Sequence, residues 1–121
     1  MIKKHTISFK NAFRGLFWVL KTQPNYKIHF ALSLLAIVGA IIFKITYAEF
    51  LIILILIIAG LTVETINSGI EATTDAIDKK WRQDIGLAKD ISAAAMLIIA
   101  IGSLVVSGII FLPRIISLLQ F

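Results

Sequence analysis

Six of the seven carboxylates in this 121-residue chain lie between Glu64 and Asp90, beside segments apolar enough to live in lipid. A carboxylate next to hydrocarbon is costly, so ionisable residues placed there mark a functional site by default. On a helix of 3.6 residues per turn, Glu64, Asn67, Glu71 and Asp75 fall at about 0°, 300°, 340° and 20°, and Asp78 joins this stripe near 320°. A row of carboxylates with an amide between them suits a hard divalent cation, because Mg²⁺ takes oxygen ligands, often one or two carboxylates plus substrate phosphates. A carboxylate at the water–lipid boundary can also act as general base on a hydroxyl held at headgroup depth. Lys89, beyond the stripe, is a point charge available to a phosphate. These are parts for phosphoryl transfer from a soluble nucleotide to a membrane-resident alcohol, a reaction that needs mostly positioning and charge neutralisation.

Other chemistries lack their residues. With no cysteine there is no disulfide scaffold, zinc–thiolate site or thiol nucleophile. No glycine-rich phosphate loop, paired-histidine metal helix or dinucleotide fingerprint occurs, and the protein-kinase motif set is absent. A di-iron bundle needs Glu-x-x-His, and His5 and His29 are nowhere near an acid at that spacing. His29 reads as an interfacial or helix-packing residue.

The elements that must position the stripe follow from hydropathy. At 59% hydrophobic residues the chain is far from the soluble average and reads as one all-α integral membrane domain, residues 1–121. Residues 1–27 carry Lys3, Lys4, Lys10, Arg14, Lys21 and Lys27 and no acid. Between Ser8 and Lys21 the cations share one edge of a helical wheel, and Phe9, Phe13, Leu16, Phe17 and Leu20 cover the other. That is the composition of a helix lying in the membrane interface, with its apolar side in the acyl boundary. Its charge could suggest a nucleic-acid-binding arm, but the distribution favours the membrane; no nucleic-acid partner is expected.

Pro24 and Asn25 are expected to stop that helix and turn the chain into the bilayer. From Ile28 to Val63 the run would make a helix of roughly 54 Å, against a hydrocarbon core of about 30 Å. The chain must therefore turn back, and the place is Lys44–Glu49, where the mid-run charges sit. This gives a first span at 28–46 and a second at 48–63. With no Pro or Gly stop, the second is expected to continue as helix through the stripe to about residue 78. Residues 79–90 read as a cytoplasmic loop and 91–112 as the third span, ended by Pro113 and Arg114. Ten of the twelve basic residues then lie on one side, so the positive-inside rule puts the N-terminus and the 64–90 region in the cytoplasm. Small residues on the third span, Ala93–Ala95, Gly102, Ser103, Ser107 and Gly108, allow close helix contact, and so thin a bundle favours an oligomer.

Two readings of another class compete. A small membrane transporter or channel subunit would use the acids to bind or relay a cation, but would place them near the bilayer midplane. A membrane adaptor would use the stripe to dock a protein.

Glu64-x2-Asn67-Ser68-Gly69-Ile70-Glu71-x3-Asp75, followed after thirteen residues by Lys89-Asp90 and an Ala-rich span, resembles the small prokaryotic integral-membrane diacylglycerol kinases, which include the undecaprenol kinases. The likeness reaches nearly the whole chain, through Ser8-Phe9-Lys10-Asn11-Ala12, Arg14-Gly15-Leu16 and Asn25-Tyr26-Lys27-Ile28-His29. The resemblance implies an ATP- and Mg²⁺-dependent lipid kinase of a bacterial inner (plasma) membrane, a homotrimer with sites shared between subunits. It implies that Glu64 is the catalytic base on the lipid hydroxyl and that Asn67 orients groups beside it. Glu71 would hold the divalent ion that bridges the nucleotide phosphates, Asp75 would support the polar site, and Lys89 and Asp90 would contact the nucleotide. Lys80 and Arg82 fall in the family's nucleotide region, although Lys80-Trp81-Arg82 departs from the usual Glu-aromatic-His pattern. Arg14 and Gln23 fall on the substrate side. Gln23 stands where many members carry a glutamate that is a second metal ligand, and an amide binds Mg²⁺ more weakly. Diacylglycerol and undecaprenol both remain open as the acceptor.

Overall fold

A computed structural model describes the backbone of residues 2–120 and the side chains of residues 6–120. Lys3, Lys4 and His5 are therefore named above for their sequence positions, and their side chains lie outside the described residues. Four helices make up the described chain: α1 (Ile2–Thr22), α2 (Pro24–Ile42), α3 (Tyr47–Ile77) and α4 (Gln83–Leu119). The chain is all-helical, and α2, α3 and α4 are each long and apolar enough to cross a membrane.

Only Gln23 separates α1 from α2. Its backbone is extended (φ −98°, ψ 110°), as the ring of a following proline requires. Pro24 then stands in the first turn of α2, where its missing N–H would have had no intrahelical acceptor. The proline expected to stop one helix thus opens the next at once, inside the stretch read as part of the interfacial segment.

The reversal between α2 and α3 falls where the mid-run charges predicted it. Lys44 has φ 48°, in the left-handed region that glycine usually occupies. The Ile45 amide donates to Ala40 O at 3.2 Å and the Lys44 amide to Ile41 O at 3.3 Å, which satisfies the last carbonyls of α2. Thr46 then caps α3 through a reciprocal box. Its Oγ1 accepts from the Glu49 amide at 3.3 Å, and its own amide donates to Glu49 Oε2 at 2.7 Å.

At 31 residues α3 is about 46 Å long, more than a bilayer core of about 30 Å accommodates. Glu64 lies about 26 Å along it from Tyr47, so nearly a full core thickness of helix precedes that residue. α3 is the central element, packed against both α4 and α2, while α1 touches α2 and α3.

α4 differs from the sequence expectation at both ends. Residues 79–90 do not form a loop throughout, because helix begins at Gln83 and Asp78–Arg82 alone is non-helical. Asp84 occupies the first turn of α4, where a carboxylate meets unpaired amides and the positive end of the helix dipole. At the far end the helix runs through Pro113 to Leu119. The proline lacks the N–H that would reach Ile109 O, yet the helix continues past it, and Arg114 Nη1 donates to Ile110 O at 2.5 Å. Two aromatic rings close this end of the bundle: Phe43 and Phe111 lie 6.0 Å apart at a 56° tilt. Gly39 lets them approach, since a Cβ there would meet the Phe111 ring at 3.4 Å.

The buried apolar set is small, namely Val19, Tyr26, Ala40, Ile53, Ile85 and Ile110, and long aliphatic side chains cover the outside of every span. A surface of this kind belongs in lipid or against other chains.

Candidate functional site

The stripe on α3 is graded by depth. Glu64 is 2% exposed and Asn67 6%; Glu71 is half-buried, and Asp75 is exposed. The gradient belongs to this face of the helix alone, since Thr74, past Glu71, is again buried, at 7% exposure. Asp78 does not extend the stripe. It terminates α3 with extended backbone (φ −156°, ψ 133°), and its Oδ1 accepts the Lys80 amide at 2.8 Å.

Glu64 Oε2 is buried and has no hydrogen-bond partner among the described residues. A buried polar atom left unsatisfied costs roughly 1–3 kcal/mol, so a native chain that keeps one there has a use for it. Three residues on, the Asn67 amide is held on both edges. Its Nδ2 donates to Glu71 Oε1 at 3.4 Å, and its Oδ1 accepts from Ser92 Oγ at 2.5 Å. Ser68, 1% exposed, turns its hydroxyl back onto the Glu64 carbonyl at 2.9 Å, so its burial leaves no donor free. Thr74 does the same toward Ile70 O and Glu71 O.

The cations from the other side of the turn are engaged. Lys89 Nζ lies 2.5 Å from Asp75 Oδ1, a pair joining α4 to α3 with side chains 38% and 54% exposed. Arg82 grips Asp84 through both Nε (3.1 Å) and Nη2 (2.6 Å). That guanidinium, with the Ile85 amide, holds the Asp84 carboxyl below the usual carboxylate range. The structure therefore brings Glu64, Asn67 and Glu71 together, with Asp75 and Lys89 as a second pair above them. The side chains of Lys80, Asp90, Arg14 and Gln23 make no hydrogen bond or ion pair with this cluster among the described residues. Lys80 and Asp90 are exposed near the start of α4, Arg14 is exposed on α1, and Gln23 is half-buried at the joint of α1 and α2.

Ser92 is the site residue that sequence reasoning missed. Nothing local distinguishes a serine in Ser92-Ala93-Ala94-Ala95 from the small residues of a packing face. A signal was present in its spacing, since Ser92 follows Lys89 by three residues and so shares its side of α4.

An apolar groove of about 610 Å³ opens beneath the cluster, between α2 and α4 and over one face of α3. It runs from His29 and Leu61 down to Phe111 and Ile115, with Gly60 and Ala100 among the small residues in its wall. Ile57, Gly60 and Leu61 in its lining are on the side of α3 that carries Glu64 one turn later.

The donors around Glu64 suit a hard cation. They are the carboxylate oxygens of Glu64 and Glu71, since Asn67 turns its Oδ1 to Ser92, and one of them is orphaned. No group of three or more His, Cys, Asp or Glu converges among the described residues. A Mg²⁺ ion here would thus take one or two carboxylates and complete its shell with phosphate and water oxygens.

Comparison with known proteins gives a consistent result. The family described as prokaryotic diacylglycerol kinase matches residues 10–111, a range holding every candidate residue from Arg14 to Asp90. An undecaprenol kinase of Bacillus subtilis is 31% identical over 107 residues, which cover 88% of this chain and 87% of that one. A diacylglycerol kinase of Synechocystis is 25% identical over 114 residues, covering 93% of this chain and 65% of the relative.

Proposed function

The chain belongs to the prokaryotic diacylglycerol kinase family, and from that premise we propose that it transfers the γ-phosphoryl group of ATP, with Mg²⁺, to the hydroxyl of a membrane lipid at the cytoplasmic face of a bacterial inner membrane. The observation that carries this reading is the buried, unpartnered Oε2 of Glu64 where α3 leaves the hydrocarbon. A carboxylate kept dry and without a partner has an acceptor still to offer a lipid hydroxyl.

In this reading Glu64 takes the hydroxyl proton as the lipid oxygen forms its bond to phosphorus and the bond from phosphorus to the ADP oxygen breaks. The products are a lipid phosphate monoester and ADP, and Glu64 returns the proton to water. Asn67, fixed between Ser92 and Glu71, orients groups beside that oxygen. Glu71 would hold the cation, which when bound offsets negative charge on the phosphate oxygens. Lys89 exchanges its contact with Asp75 for phosphate when nucleotide arrives, a change that an exposed ion pair worth about 0–1 kcal/mol permits. Arg82 and Lys80 line the approach from water, together with Asp90.

The groove beneath Glu64 takes the hydrocarbon chain. Its apolar wall and its position on the side of α3 that carries Glu64 one turn later support this. Diacylglycerol and undecaprenol, named for the two relatives, both present such a hydroxyl. The assembly is a homotrimer, in keeping with the resemblance and with the aliphatic side chains that cover every span.

The test is transfer of labelled phosphate from Mg²⁺-ATP to diacylglycerol and to undecaprenol, side by side in mixed micelles, with wild type and Glu64→Gln. Phosphorylation of one lipid by wild type and its loss in the variant are expected. Equal rates for the two proteins would remove Glu64 from the role of base, and no transfer to either lipid would overturn the reading.

A further inference from the structure

Ser92 lies on α4 one turn beyond Lys89, at the start of the Ala-rich span, and is 7% exposed. Its Oγ stands 2.5 Å from Asn67 Oδ1, across the interface to α3, and 3.1 Å from the Lys89 carbonyl of its own helix. A serine hydroxyl has one proton to give. Helical serines commonly give it to a carbonyl one turn back, but here the shorter contact leads to another helix. Asn67 is itself buried, and its Nδ2 faces Glu71 Oε1 at 3.4 Å. Rotating the amide by half a turn would bring Oδ1 against the Glu71 carboxylate, two acceptors face to face, whereas the Ser92 hydroxyl could accept from Nδ2 while donating to the Lys89 carbonyl. The Glu71 carboxylate, an acceptor only, thus selects the orientation, and the short Ser92 contact holds the amide in place.

We infer that Ser92 is a positioning residue for phosphoryl transfer: it anchors the Asn67 amide in the orientation that Glu71 selects, with Nδ2 toward the carboxylate side of the site. One Nδ2 proton goes to Glu71, and the other is presented to the oxygen atoms of the reacting groups. The inference rests on the kinase reading above and deepens it. Ser92 acts through Asn67 and touches no substrate. Because Ser92 sits one turn from Lys89 and Asp90, the same contact makes the amide orientation depend on where α4 places the nucleotide-side residues.

The experiment uses the full chain with Ser92→Ala and Ser92→Thr, assayed with Mg²⁺-ATP and the accepted lipid in mixed micelles. Loss of one interhelical hydrogen bond acting in the transition state lowers kcat about tenfold, with KM for both substrates within about twofold. The threonine variant keeps the hydroxyl and recovers most of the rate. An alanine variant with native kcat, or a threonine variant as slow as the alanine one, overturns the inference. A second readout is independent of activity. Asn67 is one of three asparagines, so its side-chain amide can be followed by selective ¹⁵N labelling and identified through its absence in Asn67→Asp. Ser92→Ala is expected to shift this resonance and speed its exchange with water, whereas an unchanged resonance overturns the inference. If wild type phosphorylates neither lipid, the kinase reading fails on its own, and the resonance still decides whether Ser92 holds Asn67.

Discussion

The two ends of the α3–α4 pair treat a glutamate in opposite ways. Near the start of α3, Glu49 Oε2 accepts from the Thr46 amide at 2.7 Å, the Thr46 hydroxyl at 2.9 Å and Arg114 Nη2 at 2.7 Å. Four turns along the same helix, Glu64 holds an oxygen that is buried and accepts nothing. Glu49 has its hydrogen-bonding capacity filled by the fold, and the result is a clasp between the cap of α3 and the end of α4. Glu64 has been left unfilled, and in the proposed function that oxygen meets the lipid hydroxyl. Proximity of a charge to lipid is common to both, so it is the state of satisfaction that separates a structural carboxylate from an available one.

The largest test of this contrast is Glu64→Gln. Loss of a general base lowers kcat by about a thousandfold, while thermal unfolding in detergent stays near that of wild type, because no contact is lost. A variant that unfolds early and transfers phosphate normally would invert the comparison. Arg114→Ala should behave in the opposite sense. It removes the guanidinium from the half-buried Glu49 carboxylate, which keeps its two Thr46 contacts, at a cost of about 1–3 kcal/mol. The unfolding midpoint falls and kcat stays within about threefold; the same micelle assay and a melt read both.

A smaller effect tests the apolar path between the two ends. Gly60 has nothing within 4 Å of where a Cβ would stand and lines the groove. Gly60→Leu should fill that space and raise KM for the lipid about fivefold, with KM for ATP unchanged. An equal rise for both substrates would place the hydrocarbon chain elsewhere. The smallest effect belongs to the turn beside the clasp. Lys44 holds a left-handed conformation that costs a side-chain-bearing residue about 1 kcal/mol. Lys44→Gly should raise the unfolding midpoint slightly without changing activity, and a lower midpoint would show that the lysine side chain contributes more than its backbone strain costs.

Hydropathy and charge placed much of this molecule. A run too long for one bilayer crossing must fold back, and Lys44–Glu49 marks the place because charge is cheapest at the interface. The stripe was legible for a similar reason, since a period of 3.6 residues puts Glu64, Asn67 and Glu71 on one side of any helix that contains them. Asp78 escaped the pattern because the helix ends just before it. Helix at Gln83 was hidden by a polar sequence that reads equally well as a loop, until Asp84 is seen in the first turn. Pro113 looked like a terminator because it lacks the donor for the Ile109 carbonyl, and yet α4 carries on to Leu119.

Sequence alone thus determined which residues share a helix face, how long each apolar run is and where it must reverse, because these follow from fixed helical geometry and the cost of charge in hydrocarbon. The tertiary structure decided what meets across helices. Asp75 pairs with Lys89, Glu49 with Arg114 and Asn67 with Ser92, and all three pairs depend on the register of α4 against α3. Side-chain packing along the whole interface sets that register, and no local spacing contains it.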